Sequence, residues 1–177
     1  MTNTTMNTGA ARSNTKTVPL SGGKVALIDE DDFGIVSPYK WYLTEKGYAG
    51  STKVVDRKTL NLRMHRMIMG LCKGDKREVD HINGNKLDNR RQNLRICTRR
   101  ENNFNMPLQS SNKSGYKGVH QHKRDGKWEA MISVGGKRYW LGRFNTAEEA
   151  YAKYCEAAPR LHGEFANLGK QNSGDRP

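Results

Sequence analysis

The stretch from Val79 to Arg95 reads VDHINGNKLDNRRQNLR. It sets an acid beside a histidine, then gathers four asparagines, a glycine and three arginines within seventeen residues. Little in it can fill a core, so packing does not account for it. Asp80 offers a hard oxygen donor of the kind that Mg²⁺ prefers. His81 carries the side chain best suited to take a proton from water near neutral pH. Neighbouring side chains on a strand point to opposite faces. The pair can therefore serve one site only if the strand ends or bends there, and Asn83-Gly84 allows that.

On either side, REVDHI (77–82) and NLRICT (93–98) read as short strands. NGNKLDNRRQ between them is too polar for a regular element and is expected as a loop tied between two antiparallel strands. Asn93 opens the second strand, where its amide can pin that loop. Thr98-Arg99-Arg100-Glu101 matches a capping box, so a helix is expected from about Arg99, with Pro107 as its stop. Asn102 lies in the first turn of that helix and can supply a second oxygen. The local unit is strand, long loop, strand, helix.

These residues and spacings resemble the HNH endonuclease family, in particular its homing branch in phages and group I introns. The resemblance rests on VDHINGNKLDNRRQNLR followed by RICTRRENN, and it implies a ββα-metal core over about 77–106. It implies Asp80 and Asn102 as ligands of Mg²⁺, with Mn²⁺ or another divalent ion as a substitute. It implies His81 as general base and Asn93 as the clamp of the loop, with Asn103 as the alternative to Asn102. Arg90, Arg91, Arg95, Arg99 and Arg100 crowd the same stretch and are candidates for gripping DNA phosphates. For His65 in LRMHRM a packing or hydrogen-bonded role is favoured over a ligand role.

Upstream, KVALI and TLNLRM read as strands, WYLTEKGYAG as a strand–turn–strand, EDDFGIVSPYKW as a helical turn stopped by Pro38, and MHRMIMGLC as a short helix. This is a β-rich layer leading into the core, and the HNH domain is bounded at 18–106. Residues 1–17 and 169–177 are expected as polar tails, the first of them disordered.

Downstream, residues 107–112 form a linker by composition. GVHQHKR, KWEAMISV and KRYWLGRF follow as three strands, with hairpin turns at Asp125-Gly126 and Gly135-Gly136. Thr146-Ala147-Glu148-Glu149 is a second capping box. The helix after it sets Ala147, Ala150, Tyr151, Tyr154, Ala158 and Leu161 on one stripe. Pro159 is expected to kink or end it. Residues 113–168 resemble the AP2 domain in the order of their GV, GKW, WLG-x-F and TAEEA-x-x-Y elements. That likeness implies a three-stranded antiparallel sheet with one packed helix, laid into the DNA major groove. Alternation puts Trp128, Ala130, Ile132 and Val134 under the helix. Lys127, Glu129, Met131 and Ser133 share the other face, joined by His120, His122, Arg138 and Trp140. Lys117, His120, His122, Lys127, Arg138 and Trp140 are the DNA-binding candidates here. The face departs from the plant pattern, because His120, His122 and Ser133 stand where arginines are usual.

The fold class expected is α+β. Lys and Arg total 31 against 18 Asp and Glu, a net charge of +13 that calls for a polyanionic partner, here double-stranded DNA. The excess is +8 over residues 52–103 and +5 over 104–177, and it vanishes over 1–51. Three scattered cysteines and no C-x-x-C pair argue against structural zinc or a disulfide framework. No apolar run approaches the roughly 18 residues that span a bilayer, and no apolar leader is present at the N-terminus. A cytoplasmic, non-secreted protein is expected, with a monomer favoured. The function expected is metal-dependent DNA cleavage at a site chosen partly by the AP2 module. A DNA-binding regulator with a decayed core is the alternative.

Overall fold

The computed structural model describes residues 14–169. The polar tails at 1–13 and 170–177 lie outside them. The described residues pack as two compact units: one takes 14–73 together with Asn85–Arg95, the other Gly74–Gly84 together with 96–169. The units thus cut across the boundaries expected from the two sequence motifs.

In the first unit, β1 (Thr15–Pro19) pairs antiparallel with β2 (Val25–Asp29). The tail expected to reach residue 17 therefore yields its last three residues to a strand, where backbone pairing places Val18 in the core. A 3-10 turn at Glu30–Asp32 leads into α1 (Phe33–Val36), which Pro38 follows closely. The Trp41 indole N–H donates to the Val36 carbonyl at 2.9 Å and closes that end. β3 (Tyr42–Leu43), β4 (Ala49–Val55) and β5 (Lys58–Arg63) make a three-stranded antiparallel sheet, and α2 (Met64–Ile68) follows. Ile28, Val36, Trp41, Ala49, Met64 and Ile68 are its buried apolar centre. His65 is buried, with its ring 5.0 Å from that of Tyr48.

β6 (Glu78–His81) and β7 (Leu94–Cys97) form a two-stranded sheet, and the boundary between the units runs inside β7. α3 (Arg99–Phe104) starts at the expected capping box: Glu101 N–H donates to the Thr98 hydroxyl, and the Thr98 N–H donates to the Glu101 carboxylate. Such a cap contributes about 1 kcal/mol. The helix stops at Phe104, ahead of Pro107, with Asn105 as its C-cap.

In the same unit β8 (Val119–Gln121), β9 (Trp128–Val134) and β10 (Lys137–Phe144) form an antiparallel sheet in the order β8-β9-β10. α4 (Ala147–His162) packs on it behind a second reciprocal capping box from Thr146 and Glu149. Ala147, Ala150, Tyr154 and Ala158 are buried against Val119, Ala130 and Ile132. Gly118 sits at φ 74°, and a Cβ there would meet the Tyr154 ring and the Met131 carbonyl. Only glycine lets the backbone pass so near the ring.

Two details of α4 differ from the expected ones. The helix does not end at Pro159 but runs three residues further to His162. Pro159 is exposed, and the packing of Ala158 and His162 on either side outweighs the hydrogen bond that proline forgoes. The stripe also ends on His162, while Leu161 is 40 % exposed. Steps of four from Tyr154 reach 158 and 162, so geometry selects the histidine over the more apolar neighbour.

Candidate functional site

β6 ends at His81, which is what an adjacent acid–histidine pair needs if both are to serve one place. The Gly84 N–H turns back onto the His81 carbonyl at 2.8 Å. Asp80 and His81 are each only 5 % exposed. Strand alternation puts Glu78 and Asp80 on one side of β6. That side meets α3, where Asn102 and the C-cap Asn105 lie three residues apart on one face.

The amides and carboxylates meet in pairs. Asn102 Nδ2 donates to Glu78 Oε2 at 2.6 Å. Asn105 Nδ2 donates to Asp80 Oδ1 at 2.9 Å and Oδ2 at 3.0 Å, and to the His81 carbonyl at 3.0 Å. So Asn105, rather than Asn102, holds the Asp80 carboxylate in this structure. Sequence reading did not select Asn105. The signal was present in RENNFN, because a residue three beyond Asn102 shares its helical face. Asn103 is exposed.

In the first unit the polar loop is anchored rather than loose. Leu27 N–H donates to the Leu87 carbonyl at 2.8 Å, and Asn89 N–H to the Leu27 carbonyl at 2.7 Å. Asn93 is buried and its Nδ2 donates to the Asp88 carbonyl at 2.7 Å. Arg90 forks onto Asp88 at 2.8 and 2.7 Å. Arg91 pairs with Asp32 at 2.7 Å, donates to the Ile68 carbonyl at 2.9 Å, and gives its backbone N–H to Asp29 at 2.8 Å. Hydrogen bonds to these carboxylates raise both arginine pKa values. Both guanidinium groups thus hold the loop to its own unit. The acid run Asp29–Asp32 was the sequence signal for this. Arg95 is half-buried, while Arg99 and Arg100 are exposed in the first turn of α3.

The outer face of the β8-β9-β10 sheet carries the second set. Trp140 is 62 % exposed, opposite Met131, and the exposed Arg138 stands opposite Ser133. Trp128 packs in the core beneath α4. Lys127 is exposed, as is His120, whose Nε2 lies 3.0 Å from Glu129. His122 is half-buried with Nδ1 2.9 Å from Asp125. Arg143 joins this face unpredicted, reaching Glu129 at 2.6 Å and Asp125 at 2.9 Å. Strict alternation after Arg138 and Trp140 points to residue 142. A bulge between Trp140 and Gly142 shifts the register, so Arg143 stands opposite Glu129. The Arg143 guanidinium holds Glu129 below the usual carboxylate range, against the opposing effect of burial.

Lys117 is placed differently from a phosphate contact. Its Nζ donates to the Phe104 carbonyl at 2.8 Å and the Met106 carbonyl at 2.7 Å, and burial pushes its pKa down to about 8.

Comparison with known proteins fits both halves of this geometry. Residues 63–104 match the family model described as HNH endonuclease, and residues 114–164 match that of the AP2 domain. Over 152 residues the chain is 34 % identical to an uncharacterized HNH endonuclease of Acanthamoeba polyphaga mimivirus, covering 84 % of this chain and 76 % of that one. Over 90 residues it is 35 % identical to Protein 3.8 of Escherichia phage T7, covering 51 % and 74 %. Over 55 residues it is 53 % identical to dehydration-responsive element-binding protein 2E of Oryza sativa subsp. japonica, covering 30 % and 17 %. Fold and matches together define a protein that joins a nuclease-type module to a DNA-binding one. The chain belongs to the HNH endonuclease family and carries an AP2 domain. Among the described residues no helix is long and apolar enough to cross a membrane.

Proposed function

We propose that the chain is a metal-dependent DNA endonuclease of the homing type, from a phage or another mobile element, with its AP2 sheet helping to choose the site. The observation that carries this is the buried Asp80–His81 pair at the end of β6, on the strand that α3 covers with amide side chains. His81, as a neutral imidazole, takes a proton from water. The water oxygen attacks phosphorus in line, the bond to the 3′ oxygen breaks, and that oxygen takes a proton from solvent, so the products are a 5′-phosphate and a 3′-hydroxyl. Asn93 keeps the polar loop in place through the Asp88 carbonyl.

Asp80 and Asn102 are the residues that would hold Mg²⁺, for which Mn²⁺ could substitute. Among the described residues no three His, Cys, Asp or Glu side chains gather as a metal site. One carboxylate with amide oxygens nevertheless fits Mg²⁺, which keeps several of its waters and takes few protein ligands. Bound there, the ion supplies positive charge to the scissile phosphate and the departing oxygen.

DNA is engaged by the exposed Arg99, Arg100, Lys127, Arg138 and Trp140, with His120 and His122 at the edge of the sheet. The test is nicking of a supercoiled plasmid in Mg²⁺. His81→Ala is expected to cut about two or more orders of magnitude more slowly with DNA affinity retained. Cleavage by that variant at the parent rate would remove His81 as the base.

A further inference from the structure

α3 has six residues, too few to hold itself in water. Its C-terminal end is held from the AP2 side of the sequence, within the same compact unit. Lys117 Nζ caps the Phe104 and Met106 carbonyls. The His162 ring stacks on Phe104, with centroids 3.9 Å apart and planes within 10°. Asn167 Nδ2 donates to the Asn105 carbonyl at 2.7 Å and to Asn105 Oδ1 at 3.1 Å. Asn167 is itself fixed: its Oδ1 accepts from the Gly169 N–H at 2.7 Å, and the next carbonyl, of Leu168, accepts the Tyr151 hydroxyl from α4 at 3.0 Å.

These contacts determine which way the Asn105 amide faces. The Asp80 carboxylate and the His81 carbonyl only accept, so they require its NH₂. The Asn167 NH₂ only donates, so it requires the Asn105 oxygens. The two sides agree: hydrogen bonds run from Asn167 through Asn105 to Asp80, and the backbone next to Asn167 is tied to α4 through the Leu168 carbonyl.

We propose that Asn105 and Asn167 are positioning residues for cleavage: Asn167, at the end of the AP2 domain, orients the Asn105 amide, and that amide sets the Asp80 carboxylate. The AP2 domain is then a structural part of the cleavage site as well as a means of holding DNA. This rests on the nuclease reading above. Removing the Asn167 donor frees the Asn105 oxygen and loosens the amide against Asp80, and an acceptor in its place repels that oxygen and works to turn the amide over. Small displacements at a reacting centre are enough to slow it by up to about 100-fold.

The experiment uses the full chain with Asn167→Asp, which keeps the shape and removes the donor, and with Asn167→Ala. Single-turnover cleavage of pre-bound DNA is expected to slow by about 10- to 100-fold, with the Kd for DNA and the thermal midpoint close to the parent's. An unchanged rate constant in both variants overturns the proposal. So does a loss of rate accompanied in proportion by loss of binding and of thermal stability, which marks a merely structural contact. The second readout needs no cleavage: the side-chain NH₂ resonances of Asn105 in a ¹⁵N-labelled chain. They should move in Asn167→Asp and also in Asp80→Asn, and resonances that stay in place in both overturn the relay. Should the parent chain cut no DNA with either Mg²⁺ or Mn²⁺, the nuclease reading fails, and the resonances still decide whether the relay exists.

Discussion

Burial pushes the Lys117 ammonium down to about 8 from an ordinary value of 10.5, while the same group caps two carbonyls at the end of α3. The consequence for stability has a definite sign. Folded Lys117 gives up its proton near pH 8 and unfolded Lys117 near 10.5. Between those values the unfolded chain holds more protons, so stability gains with rising pH, by at most about 1.4 kcal/mol per pH unit. Below pH 8 the slope vanishes and the full cost of burying the charge is present. Urea unfolding of the parent and of Lys117→Met at pH 7, 8, 9 and 10 isolates this group, because the other titrations are common to both proteins. The parent should gain on the variant from pH 8 upward. A difference constant over that range would mean that the lysine is solvated. At this scale sequence reading weighed Lys117 only as a DNA contact. A lysine beside a linker has the same letter whether its stem lies along a surface or across a helix end.

At the scale of the elements stands the face proposed to meet DNA. β10 offers Arg138 and Trp140 by simple alternation, and the bulge before Gly142 adds Arg143 to the same side. Gly142 takes φ 139°, and a Cβ there would come within 2.8 Å of the Phe144 ring. A glycine at that point is therefore required by both conformation and space. The face predicts a separation between binding and stability. Trp140→Ala removes a ring that is 62 % exposed, so it should leave stability within about 0.5 kcal/mol. Its DNA affinity should fall by about 10-fold or more, the usual scale for an aromatic interface anchor. Arg143→Ala should weaken binding and stability together, since Glu129 then loses its strongest partner. Chemical denaturation and fluorescence anisotropy on one DNA fragment measure both. Trp140→Ala with unaltered affinity would show that the sheet does not face DNA.

For the whole molecule, the two sequence motifs and the two compact units divide the chain at different places. The motifs suggest a cut at 107–112, which would leave a self-sufficient nuclease in residues 1–109. In the folded chain Gly74–Gly84 and α3 belong to the same unit as the AP2 sheet. A fragment ending at Gln109 lacks Lys117, His162 and Asn167, all of which meet the end of α3. It should therefore nick plasmid at least about 10-fold more slowly than the full chain, even at DNA concentrations that saturate it. Equal rates for fragment and full chain at saturation would mean that the cleavage site is complete by residue 109.

The sequence by itself determined the α+β class, the order of strands and helices from β2 onward, both capping boxes and the stretch in which an acid, a histidine and the loop asparagine stand. All of these follow from local rules: period-two and period-3.6 patterns, side chains that cap their own backbone, and residue types with one plausible use at a given spacing. Tertiary structure alone decided which amide reaches Asp80, which carboxylates Arg90 and Arg91 pair with, where the bulge places Arg143, and that Asn167 meets Asn105 from 62 residues away. Those outcomes depend on which distant donors and acceptors burial brings together. Hydrogen bonding inside a fold is settled by the need to satisfy each buried polar group, and distance along the chain carries no information about who the partner will be.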